Sequence, residues 1–171
     1  MSLALITGSS GLIGSESVNF FCDKGFDVIG IDNNLRKYFF GKDGSTIWIK
    51  KNLKKRNKKF NHINLDIRNY SGLEKLFKKH KNKISVIIHC AAQPSHDYGK
   101  KFPFLDFHVN ATGTLNLLEL TKKYCPLAPF IFMSTNKVYG DSPNTLKIYE
   151  TKTRWELKKN DKNFKGIDEN F

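Results

Sequence analysis

Acidic residues are scarce in this sequence, cysteines are few, and no apolar stretch is long. Asp and Glu number 16 against 29 Lys and Arg, a formal net charge of +13. The surplus is densest in "KKNLKKRNKK", Lys50–Lys59, with Trp48 just before it. A basic run beside an aromatic can grip nucleic acid through phosphate contacts. The same run also reads as a solvated surface helix or loop in a chain that favours Lys and Asn throughout, and nucleic acid is not the expected partner. A positive field of this kind does attract anionic ligands such as nucleotide diphosphates. The three cysteines, Cys22, Cys90 and Cys125, are an odd number without metal-like spacing. No metal site is expected, and the thiols read as buried small hydrophobes of a reducing compartment. No apolar run approaches the ~20 residues of a membrane span. The amino terminus enters a strand without a basic leader, so a cytoplasmic protein with no membrane partner is expected.

What is present is a chain of 171 residues, 39% of them apolar, suited to one domain with its own core. Short β-branched stretches alternate with helical patterns. "LALI" (Leu3–Ile6) and "DVIGI" (Asp27–Ile31) read as the first two strands, with a helix from Leu12 past Phe21 between them. "FNHINLD" (Phe60–Asp66) reads as the third strand, followed by a helix over Ser71–His80 that carries Leu73, Leu76 and Phe77. "SVIIH" (Ser85–His89) is the fourth strand. A long helix over Phe104–Tyr124 is expected to turn Gly113, Leu115 and Leu118 inward. "PFIFM" (Pro129–Met133) reads as a buried fifth strand. This alternation implies βαβ units and a parallel sheet, an α/β fold of doubly wound, Rossmann-like type. Beyond Lys147 a Lys/Asn-rich tail follows.

Between the first strand and its helix stands "TGSSGLIG", with Gly8, Gly11 and Gly14; Asp32 ends the second strand 18 residues later, near the roughly 20 expected. In such a motif the first glycine permits a tight turn, the second lets backbone approach a pyrophosphate, and the third lets helix pack on strand. The helix amino terminus at Leu12 and Ile13 then offers free N–H groups and a positive dipole end. Asp32 would accept hydrogen bonds from ribose hydroxyls and repel a 2′-phosphate, which favours NAD over NADP. The alternative is that the glycines serve turns only.

Gly-x-x-Gly-x-x-Gly after Thr-Gly resembles the extended short-chain dehydrogenase/reductase family, whose members handle nucleotide sugars with bound NAD. Further landmarks follow in order: Asn33 beside Asp32; Asp66-Ile67 after the third strand, which in the family meets the adenine; "HCAAQ" (His89–Gln93), with Ala91, Ala92 and Gln93 under the nicotinamide half; and "VNATGTLNLLE" (Val109–Glu119), with Asn110 near the catalytic centre. Asp66 could instead be a helix cap, and Asn110 a satisfied buried amide.

In the family the fifth strand ends in Ser/Thr followed by Val-Tyr-Gly, and "STNKVYG" (Ser134–Gly140) is similar. The resemblance implies that Thr135 hydrogen-bonds the substrate oxygen during hydride transfer. Ser134 then supports the turn, and Tyr139 is structural. Dehydratases of the family carry Asp-Glu after the threonine; here Asn136 and Lys137 stand there, which disfavours elimination of water. With "IDNNLRKYFFG", "AAQPSHD" and "GIDENF", the chain looks most like the CDP-paratose 2-epimerase branch, which implies a CDP-sugar substrate met by Gln93, Ser95, His96, Thr135, Asn136 and Lys137. His96 could equally be a structural contact.

The family's general base is a Tyr with a Lys four residues later. Tyr38 and Lys42 have that spacing but follow the second strand, beside the adenosine end, and receive no catalytic role. No Tyr-x-x-x-Lys lies between Thr135 and Phe171. Residues 1–171 are therefore expected to be the NAD-binding, amino-terminal part of a longer enzyme, with a sheet incomplete at its carboxyl-terminal end and a homo-oligomeric complete form. A non-catalytic NAD-binding protein is the alternative.

Overall fold

The computed structural model describes residues 2–171, with backbone only at Asn136. The chain divides into two compact units, residues 1–133 and 134–171. In the first, β1 (Leu3–Thr7), β2 (Asp27–Ile31), β3 (Phe60–Ile63), β4 (Ile84–His89) and β5 (Phe130–Phe132) form one parallel sheet in the order β3-β2-β1-β4-β5. Every residue of β1 is buried, because helices cover both faces and the strand must be apolar throughout. Alternate side chains feed two separate cores. Leu5, Ile29, Ile31 and Ile87 pack with Leu73 and Phe77 of α4 (Tyr70–His80) and Leu117 and Leu120 of α7 (Gly113–Tyr124). Ala4, Ile6, Val28 and Ile88 pack with Val18 of α1 (Leu12–Asp23) and Leu53 of α3 (Ile47–Arg56). Strand order reverses between β1 and β4, and an open α/β sheet leaves a crevice at that point, outside the strands' carboxyl ends.

Several expectations need correction. β3 stops at Ile63 rather than Asp66, because its partner in the sheet, β2, ends opposite it at Ile31. The long helix is interrupted: α6 (Pro103–Phe107) leads through a π turn (His108–Thr112) into α7. Leu115 and Leu118 face outward, 56% and 43% exposed, while Leu117 and Leu120 are fully buried. The inward face runs Gly113, Leu117, Leu120, Thr121, the i, i+4, i+7, i+8 stripe, and Leu115 and Leu118 fall outside it. β5 is an edge strand, so Ile131 and Phe132 are largely exposed. Cys125 is buried, but Cys22 and Cys90 are only half-buried. The basic run lies on α3 and the turn after it: Leu53 anchors the helix to the sheet while most of its lysines remain exposed.

Two short helices, α2 (Leu35–Phe40) and α5 (His96–Lys101), were not legible. In the second unit, 3₁₀ turns at Asn136–Tyr139 and Ser142–Thr145 precede an antiparallel hairpin, β6 (Ile148–Glu150) with β7 (Trp155–Leu157), in the segment read as a tail.

Candidate functional site

The turn between β1 and α1 is built around close backbone contacts. Gly8 has φ +64°, a left-handed conformation that side chains disfavour, and a Cβ there would stand 2.7 Å from the Ala91 nitrogen. A Cβ on Gly14 would lie 2.0 Å from the Gly8 carbonyl oxygen, so only glycine lets α1 start this close to the loop. At Gly11 a Cβ would meet only that same oxygen, at 3.2 Å, and otherwise open space. The first bond inside α1 runs from Ser15 N–H to the Gly11 carbonyl, and no side chain caps the helix. The N–H groups of Leu12, Ile13 and Gly14 thus have no acceptor among the described residues, at the positive end of the helix. The hydroxyl oxygens of Ser9 and Ser10 are buried without a hydrogen-bond partner among the described residues.

Asp32, just past β2, faces this loop. Its Oδ2 accepts from Ser10 N–H at 3.0 Å and its Oδ1 from Asn34 N–H at 2.7 Å. Asn33 donates to Asp66 Oδ2 at 2.8 Å, tying the ends of β2 and β3 together. Asp66 is also gripped by Arg68, through Nη2 at 2.6 Å, Nε at 2.9 Å and backbone N–H at 2.8 Å. Burial alone would raise the Asp66 pKa, but the Arg68 bonds outweigh it and hold the carboxyl below its ordinary value.

These groups surround a cavity of about 280 Å³. Gly8, Gly11, Leu12, Ile13, Gly14, Asp32, Asn33, Asp66, Ile67, Ala91 and Ala92 all line it. Gln93 and Asn110 do not; they hold each other. Gln93 N–H donates to Asn110 Oδ1 at 2.8 Å, and Asn110 Nδ2 donates back to the Gln93 carbonyl at 3.2 Å. The Gln93 side chain is spent on Ser95 backbone and Asp106. Ser95 caps α5, which begins at His96.

The family described as NAD dependent epimerase/dehydratase matches residues 4–160. The chain belongs to it. Among curated relatives it is 35% identical over 151 residues to the CDP-paratose 2-epimerase of Salmonella typhi, covering 88% of this chain and 41% of that protein. It is 33% identical to the UDP-glucuronate 4-epimerase of Thermodesulfobacterium geofontis, over 84% of this chain and 42% of that one. Among solved structures, UDP-glucose 4-epimerase from Bifidobacterium longum, in complex with NAD+ and UDP, superposes with a TM-score of 0.70 at 26% identity, covering 88% of this chain and 42% of its own. The chain thus spans about two fifths of the length of these relatives. No helix among the described residues is long and apolar enough to cross a membrane.

In the second unit, Thr135 precedes the first 3₁₀ turn, and its hydroxyl accepts from Lys137 N–H at 3.2 Å. Lys137 is exposed, and the side chain of Asn136 lies outside what is described. Sequence reasoning missed Arg36, Phe39 and Thr46, which also line the cavity. They come from α2 and the loop after it, fastened by Asn34, whose left-handed backbone (φ 58°) lets Oδ1 accept from both the N–H and the hydroxyl of Thr46. The "NNLR" string could have pointed there, since Asn tolerates positive φ better than most residues.

Proposed function

We propose that this chain supplies the NAD-binding half of a nucleotide-sugar epimerase. The observation that carries the reading is the loop itself: three open N–H groups at the start of α1 beside a carboxylate at the end of β2, in one cavity at the reversal of strand order. The residues fit a dinucleotide. The open side of Gly11 and the free N–H groups suit a pyrophosphate. Each Asp32 oxygen has one protein donor in the structure and lone-pair capacity left for a ribose hydroxyl. Bound there, NAD would accept hydride from a sugar carbon and give it back.

The protein's part is binding and orientation. Gly8–Gly14 hold the pyrophosphate, Asp32 the adenosine ribose, and Ile67 and Ala91 flank the cavity. Thr135, by resemblance, orients the sugar hydroxyl that is oxidised, with Asn136 and Lys137 next to it. A threonine hydroxyl titrates far too high to accept the proton leaving with oxidation. General-base help is typically worth about 10²- to 10⁴-fold, and no Tyr-x-x-x-Lys follows Thr135 in these 171 residues. The choice of a CDP-sugar is supported by the 35% identity to a CDP-paratose 2-epimerase, and epimerisation over dehydration by Asn136-Lys137 where dehydratases carry two acids.

The test has two arms. Calorimetric titration with NAD should show saturable binding. NMR of the sugar, after incubation with NAD and a panel of sugar nucleotides including CDP-paratose, should show no change of configuration. A folded chain that ignores millimolar NAD would overturn the reading. Catalytic epimerisation by residues 1–171 would show that another group, with Tyr38, His96 and Lys137 the first to replace, acts as base.

A further inference from the structure

His89, the last residue of β4, is 2% exposed, is not among the residues lining the cavity described above and has no part in the binding scheme. Its two ring nitrogens bridge two threonines from different elements. Nδ1 lies 2.7 Å from the Thr7 hydroxyl of β1, and Nε2 lies 2.8 Å from the Thr114 hydroxyl of α7. The direction of each bond follows from counting protons. Thr114 gives its single hydroxyl proton to the Asn110 carbonyl, 2.6 Å away, so Nε2 must be the donor to Thr114. A neutral imidazole protonated on Nε2 accepts at Nδ1. Thr7 therefore donates to Nδ1, and its oxygen is left to accept from Ala91 N–H at 3.2 Å. The chain Ala91 → Thr7 → His89 → Thr114 → Asn110 uses every donor once.

The two arms of this chain end on one loop. The Thr7 arm holds Ala91. The Thr114 arm holds the backbone of Asn110, whose side chain in turn holds Gln93. Cys90 N–H is taken by the Thr7 carbonyl. Within residues 90–93 the Ala92 N–H is the one donor with no protein acceptor among the described residues, and Ala92 lines the cavity.

We infer that His89 is a positioning residue, whose bridge between Thr7 and Thr114 sets the 90–93 loop so that the Ala92 N–H serves as a hydrogen-bond donor to an oxygen of the dinucleotide. The part concerning the ligand rests on the NAD reading; the bridge itself does not. Burial keeps the ring neutral and in the required form, pushing its pKa down to about 4. The groups facing it are Thr7, Thr114 and the rings of Phe130 and Phe132 on β5, none of them charged.

Only five alanines occur in the chain, so protein labelled with ¹⁵N at alanine gives few signals. Amide hydrogen exchange and NAD titration would be followed in the unmodified chain, in His89→Phe, which keeps a ring against Phe130 and Phe132, and in Thr114→Val, which cuts only the second arm. Without ligand, Ala91 should exchange slowly and Ala92 quickly in the unmodified chain, and His89→Phe should erase the difference while circular dichroism stays the same. With NAD, the Ala92 signal should shift and become protected. Both variants should bind NAD roughly 3- to 10-fold more weakly, the worth of about one hydrogen bond. His89→Asn, which retains an acceptor near the Nδ1 position, should restore Ala91 protection. Equal Ala91 exchange in the unmodified chain and the Phe variant would overturn the bridge. NAD binding without any response at Ala92 would overturn the donor assignment. Absence of NAD binding by the unmodified chain would instead overturn the dinucleotide reading, with the exchange data still deciding the bridge.

Discussion

Acid should weaken this fold before its carboxylates titrate, and His89 should be the main cause. Burial lowers its pKa from 6.5 to about 4, so between those values the unfolded chain takes up a proton that the folded chain refuses. The contribution is fully present above pH 6.5 and is lost as pH falls towards 4. At about 1.4 kcal/mol per pH unit the whole loss is about 3 kcal/mol, and from pH 7 to pH 5 it is about 2 kcal/mol. Urea slopes of about 1–3 kcal/mol per molar turn this into a fall of the unfolding midpoint of about 1 M. His62 and His80 are also lowered, chiefly by burial and then by neighbouring lysines, and act with the same sign. The comparison is therefore with His89→Phe, which should lose markedly less between the same two pH values. Glu74, held down to about 2 by Lys123 and Tyr124, acts in the opposite window, losing its contribution only below the ordinary carboxylate pKa. An identical fall in the variant and the unmodified chain would refute the assignment of a buried neutral imidazole.

Two substitutions probe the binding scheme. Asp32→Ser should weaken NAD binding and narrow the discrimination against NADP, and equal affinities of the unmodified chain for the two dinucleotides would remove the role given to Asp32. Gly11→Val should abolish NAD binding with the far-ultraviolet circular dichroism unchanged, because its side chain would project into the open side of the loop; retained binding would mean that the loop is only a turn.

The glycine turn after β1 and the strands β1 and β2 are legible because their signals are local. Gly8 and Gly14 mark close backbone contacts that a side chain would break, Gly11 stands between them at the same spacing, and an all-apolar strand has few alternatives. Where neighbours decide, the sequence misled. Leu115 and Leu118 look as core-like as Leu117, and packing decides which face of α7 turns inward: Gly113 sits against Ile67, with Leu117 and Leu120 buried on the same side. For Gln93 and Asn110 the sequence leaves two roles open, since their amides look the same whether they meet a cofactor or each other, and the structure shows the bonds between them. A single histidine at a strand end, such as His89, carries no spacing signal of its own; its meaning depends on Thr7, 82 residues away, and Thr114, 25 away.

Because alternate residues of β1 and β4 feed two cores on opposite faces, the sheet acts as a partition. Damage in one compartment reaches the other only by moving the strands themselves. Loss of a methyl group at Val18 and at Leu117 should accordingly add, as expected for sites that share no partner. The cavity sits where both compartments end. The α1 side and the α7 side can each drift in sequence under their own selection, so long as β1 and β4 keep their register.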